Sequence, residues 1–119
     1  MKLQYAGAYN PLWIIRKGEV LETKANKQPI GQFEKPEPYT THNFDLEKGD
    51  AIYIFSDGYI DQFGGEKEKK FKAKAFRELL LNIQDKAMEE QKKSIDVAFE
   101  TWKGDLEQID DVCVIGVRV

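Results

Sequence analysis

Hydrophobic and polar residues alternate early in the chain, run together once near the middle, and later recur at spacings of three and four. Alternation over residues 3–9 predicts a strand, with Gly7 marking a bulge or close backbone approach. Asn10-Pro11 interrupts it. Residues 12–15 and 20–23 predict two further strands joined by a turn at Arg16-Lys17-Gly18-Glu19, so the opening reads as an antiparallel meander. Residues 24–38 hold Pro29, Gly31, Pro36 and Pro38 and predict a loop, with Ile30 packing against the sheet. Alternation resumes over residues 39–46. After the tight turn Glu47-Lys48-Gly49-Asp50 comes the unbroken run Ala51-Ile52-Tyr53-Ile54-Phe55, which predicts a buried central strand. Ser56, Asp57 and Gly58 close it.

Residues 62–70 are polar, contain Gly64-Gly65 and read as a mobile loop. From Phe71 the period becomes helical: Phe71, Ala75, Phe76, Leu79, Leu80 and Ile83 share one face. Asp85 is a candidate N-cap for a second helix. Met88, Ile95, Phe99 and Trp102 line that helix, with Val97 and Ala98 beside them, and Gly104 stops it. An acidic loop over residues 105–111 leads to a nearly all β-branched segment, 112–119, that predicts a buried final strand. Strands first and helices later define an α+β fold: a mostly antiparallel β-sheet with a helical pair on one face.

Composition narrows this picture. A length of 119 residues suits one domain, residues 1–119. No apolar run approaches the ~18 residues of a membrane span, and no signal-peptide pattern opens the chain. A net charge of -3 argues against nucleic acid as a partner. The single cysteine, Cys113, excludes an internal disulfide and reads as a small buried hydrophobe. The single histidine, His42, has no soft ligand near it in the sequence.

The candidate chemistry is acidic. Asp57 ends the central strand, and Asp110-Asp111 precedes the last one. If those strands are antiparallel neighbours, Asp57 and Asp110 meet at one edge. Carboxylates held together need a cation, and an all-oxygen donor set suits Mg²⁺ or Mn²⁺. The competing reading is that these are separate solvated turn acids, since Asp-Gly after an apolar run is also a turn signal. No phosphate-binding GxxxxGK[ST] loop and no GxSxG nucleophile elbow occurs.

An ordered set of motifs resembles the SpoIIE-like, RsbU-like branch of the metal-dependent serine/threonine phosphatases (the PPM family). It comprises Tyr5-Ala6-Gly7-Ala8-Tyr9-Asn10-Pro11-Leu12, Gln28-Pro29-Ile30-Gly31 and Leu46-Glu47-Lys48-Gly49-Asp50. It continues with Ile54-Phe55-Ser56-Asp57-Gly58-Tyr59-Ile60-Asp61 and closes with Asp110-Asp111-Val112-Cys113-Val114-Ile115-Gly116. Phe63-Gly64-Gly65 and Trp102-Lys103-Gly104 further resemble the output domains of multidomain bacterial sensors. The resemblance implies half of an α-β-β-α sandwich. It also implies that Asp57 and Asp110 are ligands of a two-ion Mn²⁺ or Mg²⁺ site, with Gly58, Asp61 and Asp111 just outside it. A water between the ions would attack a phosphoserine or phosphothreonine of a phosphoprotein substrate, with no phosphoenzyme.

The family's Asp-x-x-Gly-His-Gly type motif is missing. The chain therefore reads as the C-terminal portion of a phosphatase domain without its N-terminal half, inactive by itself and weak in metal binding. Upstream sensor domains, a cytoplasmic location (with a parent that can be membrane-anchored) and self-association through an exposed sheet edge are the accompanying expectations. The competing expectation is a non-catalytic regulatory or interaction module that retains the fold.

Overall fold

The computed structural model describes all residues, Met1–Val119. Two compact units make up the chain: Met1–Ile54 with Gly116–Val119, and Phe55–Ile115. Eight strands and two helices follow in an α+β order, with antiparallel strand pairing.

In the first unit, β2 (Leu12–Arg16) and β3 (Glu19–Thr23) form a hairpin whose two linking residues, Lys17 and Gly18, have φ of 48° and 81°. Positive φ at both positions is the turn geometry that matches strand twist. Strand β5 (Ala51–Phe55) pairs with β2, Leu12 facing Ile54 and Ile15 facing Ala51. With β8 (Val114–Arg118) the sheet order is β3-β2-β5-β8.

The expected meander does not include the first strand. β1 (Lys2–Tyr5) pairs instead with β4 (His42–Asp45), as a separate two-stranded sheet. The cause is local. Tyr9 takes φ of 62°, the Tyr9 amide donates to the Asn26 carbonyl, and Pro11 follows, so the chain turns away before β2 begins.

Leu12, Trp13, Ile14 and Ile15 are all buried, so β2 is the strand covered on both faces. β5 is covered on one face, by Ala51, Tyr53 and Phe55, while Ile54 is exposed. Asp50 anchors the start of β5. Only 1% exposed, it accepts Arg16 Nε at 2.9 Å and Nη2 at 2.7 Å, and the Glu47 amide at 2.8 Å. Three expectations fail here and in the neighbouring segments. Ile30 is 87% exposed rather than packed on the sheet. Ile115 and Val117 of β8 are half exposed, and Cys113 is exposed rather than buried. β8 lies at the end of the sheet order, so covering both its faces is not imposed by β-branched composition.

In the second unit, the expected mobile loop contains a small antiparallel ribbon, β6 (Phe63–Gly64) with β7 (Lys69–Lys70). Helices α1 (Lys72–Ile83) and α2 (Met88–Lys103) follow. Their apolar stripes and the turn after β5 share an aromatic core: the Tyr59 ring lies 4.7 Å from Phe76 and 5.0 Å from Phe99, centroid to centroid. Asp85 does not cap α2, whose N-cap is Ala87 without a side-chain bond. Asp85 lies in the exit turn of α1, where the Lys86 amide still donates to the Ile83 carbonyl. Buried Gln91 closes that turn, its Nε2 donating to the carbonyls of Gln84 and Lys86. Gly104 ends α2 with φ of 54°. No helix is long and apolar enough to cross a membrane.

Candidate active site

The end of β5 carries the first acidic group. Gly58 and Tyr59 follow Asp57 directly, and both are buried. The Tyr59 hydroxyl donates to the Ile95 carbonyl at 2.7 Å, and its ring sits in the aromatic core, so the residues after Asp57 are held at a fixed depth. Burial and the Asp96 charge push the Tyr59 phenol above its ordinary range. The backbone then coils once, the Asp61 amide donating to the Asp57 carbonyl at 2.9 Å. Asp57 itself stays exposed at the tip. A buried turn with an exposed carboxylate satisfies both readings of Asp-Gly: the turn aims the acid.

The second acidic group arrives from the other side. The Ser56 amide donates to the Cys113 carbonyl at 2.9 Å, and at the far end the Val119 amide donates to the Asp50 carbonyl at 2.9 Å. These two bonds give β5 and the final segment opposite directions. Gly58 therefore lies beside Asp111. A Cβ on Gly58 would stand 2.1 Å from the Asp111 carbonyl oxygen, closer than any side chain tolerates. Bare backbone at position 58 is what lets the Asp110-Asp111 pair approach.

The backbone approach at Gly58 places Asp110 beside Asp57, close enough for its charge and side chain to act on the Asp57 carboxyl. Partial desolvation, then the charges of Asp110 and Asp61, then the Asp110 side chain push the Asp57 carboxyl above its usual range. Two carboxyl groups held side by side need a shared proton or a cation between them. Asp110 is held from two sides: its Oδ1 accepts the Asp111 amide at 2.8 Å, and its carbonyl accepts Gln108 Nε2 at 2.9 Å. Asp61 bears on the pair electrostatically and is drawn toward the ribbon by Lys70 Nζ, 3.7 Å from its carboxylate. The three acids do not close into a cluster of three ligands. The donor set is oxygen only, which fits a hard divalent ion, and two carboxylates with water are a normal protein contribution for Mg²⁺. His42 is elsewhere, its ring between those of Tyr5 and Phe44 at centroid distances of 6.1 and 6.5 Å.

Residues that the sequence pattern gave no bonding role hold this arrangement together. The Ser56 hydroxyl accepts the Cys113 amide at 3.0 Å and donates to the Asp111 carbonyl at 3.1 Å. Gln62, 1% exposed, donates from Nε2 to the Glu107 carbonyl at 2.9 Å, while its own carbonyl accepts Trp102 Nε1 at 2.8 Å. Its Oε1 is buried without a partner. A glutamine in a polar loop carries no periodic signal, so nothing in the pattern marks it as buried.

Antiparallel sheets, two helices and an acidic strand end make up a fold that matches part of solved PP2C-type phosphatase domains. The family model described as "Stage II sporulation protein E (SpoIIE)" matches residues 1–119, and the chain belongs to this family. Among solved structures, the SiaA-PP2C domain of Pseudomonas aeruginosa is 28% identical with a TM-score of 0.88, covering 99% of this chain and 46% of that one. The PP2C phosphatase domain of SpoIIE from Bacillus subtilis, with a fragment of its regulatory domain, is 19% identical with a TM-score of 0.76, covering 99% and 34%. A SpoIIE phosphatase-domain structure described as Mn presoaked is 17% identical with a TM-score of 0.66, covering 100% and 56%. The chain thus spans about half, or less, of the length of these chains. No curated protein sequence matches it significantly.

Proposed function

We propose that the chain is the C-terminal portion of a SpoIIE-type phosphatase domain that hydrolyses phosphoserine or phosphothreonine with Mn²⁺ or Mg²⁺. In this reading Asp57 and Asp110 supply ligands. The observation that carries it is the close approach of the Asp111 backbone to Gly58, which brings the Asp110-Asp111 pair beside Asp57 from opposite ends of the second unit. Gly58 gives the backbone access, Asp111 fixes the Asp110 carboxylate through its amide, and Asp61 adds negative potential beside the pair. When bound, the ions neutralise the phosphoryl oxygens and activate a water for in-line attack. Two carboxylates are few for two ions, so further acidic ligands come from a segment preceding this one in the parent protein. The substrate is a phosphoprotein, and sensor domains of the same cytoplasmic chain govern its access.

The test compares Mn²⁺-dependent hydrolysis of a phosphopeptide by the 119-residue chain and by a chain extended through its preceding segment. The expected result is little activity alone and full activity when extended, lost about 100-fold or more on Asp57→Ala. Full Mn²⁺-dependent turnover by the short chain would overturn the fragment reading. An extended chain that neither binds Mn²⁺ nor turns over would instead establish a non-catalytic module that keeps the fold.

A further inference from the structure

We propose that Ser56 is a positioning residue whose hydroxyl sets the spacing of the Asp57 and Asp110 carboxylates. The inference rests on the reading of those two acids as ligands and extends it to a residue outside the acidic set.

β5 and the final segment run side by side in opposite directions, joined at Ser56 and Cys113. In a regular antiparallel ladder, two residues facing each other as a hydrogen-bonded pair exchange both N–H···O=C bonds. Ser56 and Cys113 make one of them, Ser56 N–H to the Cys113 carbonyl at 2.9 Å. The Cys113 amide instead donates to the Ser56 hydroxyl at 3.0 Å. That hydroxyl passes the connection on, donating to the Asp111 carbonyl at 3.1 Å. A hydroxyl can do both at once, having one donor and two acceptor sites. The side chain thus bridges two backbone groups two residues apart.

The bridge sits one residue before Asp57 and spans Asp111 to Cys113, directly after Asp110. The same Asp111 carbonyl lies against Gly58. The hydroxyl therefore fixes the oxygen that Gly58 must clear, and with it the approach of Asp110 to Asp57. Alanine at 56 strands the Cys113 amide and releases the Asp111 carbonyl. Threonine keeps the hydroxyl. Groups that orient ligands without touching the ion typically alter metal affinity by about 10–100-fold.

Mn²⁺ titrated into the ¹⁵N-labelled full chain, followed by paramagnetic broadening of amide signals, reads even a weak site residue by residue. The expected result is selective broadening around residues 57–61 and 110–111. Its half-maximal Mn²⁺ concentration should rise about tenfold or more in Ser56→Ala and stay within about twofold in Ser56→Thr. An unchanged midpoint in Ser56→Ala, with broadening abolished in Asp57→Ala, overturns the role of Ser56 and leaves the ligand reading standing. Equal weakening in Ser56→Ala and Ser56→Thr also overturns it, since the hydroxyl would not be the cause. Broadening that ignores Asp57→Ala overturns the ligand reading itself.

Discussion

Two aspartates at opposite ends of β5 feel opposite environments. Asp50 is pulled below its usual range first by its hydrogen bond with Arg16, aided by the Glu47 amide and by Arg16 and Lys17 charge, against the opposing effect of burial. Asp57 is pushed above it by desolvation and by Asp110 and Asp61. The consequences for stability have opposite signs. A lowered pKa contributes stability above the ordinary value of about 3.9, and that contribution is lost as pH falls through the lowered value. A raised pKa contributes fully below about 3.9 and is lost as pH rises through the raised value. Asp50→Asn should therefore lower the Tm at pH 7 by roughly 5–10 °C, the deficit shrinking as acid protonates wild-type Asp50. Without divalent ions, Asp57→Asn should raise the Tm at pH 7 by roughly 1–3 °C, small because the carboxyl is exposed, with the gain vanishing toward pH 4. Thermal unfolding followed by circular dichroism in EDTA at several pH values checks both. A Tm for Asp57→Asn below wild type at neutral pH would remove the electrostatic strain inferred at the site.

At the scale of elements, the ribbon after β5 and the C-terminal end of α2 are stitched together by backbone approach. Gly64 lies against Trp102 so closely that a Cβ would stand 1.9 Å from the Trp102 carbonyl oxygen, and the Gly65 amide donates to that same oxygen at 3.0 Å. Gly64→Ala should cost several kcal/mol, on the order of 3, because the blocking atom is backbone and cannot rotate away. Denaturant unfolding gives the value, and a red-shifted tryptophan emission should accompany it. A loss below ~1 kcal/mol would mean that the ribbon moves freely off α2. The ribbon also shows the limit of pattern reading. Residues 62–70 are polar and Gly-rich, which predicts a loop, yet Gln62 and Gly64 are buried because two glycines admit the Trp102 side chain. Likewise Asp85 has the chemistry of a cap and Gln91 does the closing, since three-dimensional proximity to Gln84 and Lys86 decides the donor.

At the scale of the whole molecule, β8 ends the order β3-β2-β5-β8, and exposed Val117 shares the first unit with exposed Ile54 and Leu21. An uncovered edge with apolar neighbours favours pairing with another chain. Val117→Lys should suppress any concentration-dependent rise in mass, measured by light scattering, while leaving the circular dichroism spectrum unchanged. Persistent association at the same concentrations would place the contact elsewhere.

The sequence by itself determined the strands at β2, β3 and β5, both helices, and the candidacy of Asp57 and Asp110, because local period and turn chemistry are written in consecutive residues. Tertiary structure alone decided that β1 pairs with β4, that β8 is left half exposed, and that Ser56, Gln62 and Gln91 supply the bonds. Pairing, burial and hydrogen-bond partnership depend on residues far apart in the chain. Gly58 belongs to both accounts: its place after Asp57 announces a turn, and only the Asp111 carbonyl beside it shows why no side chain can stand there.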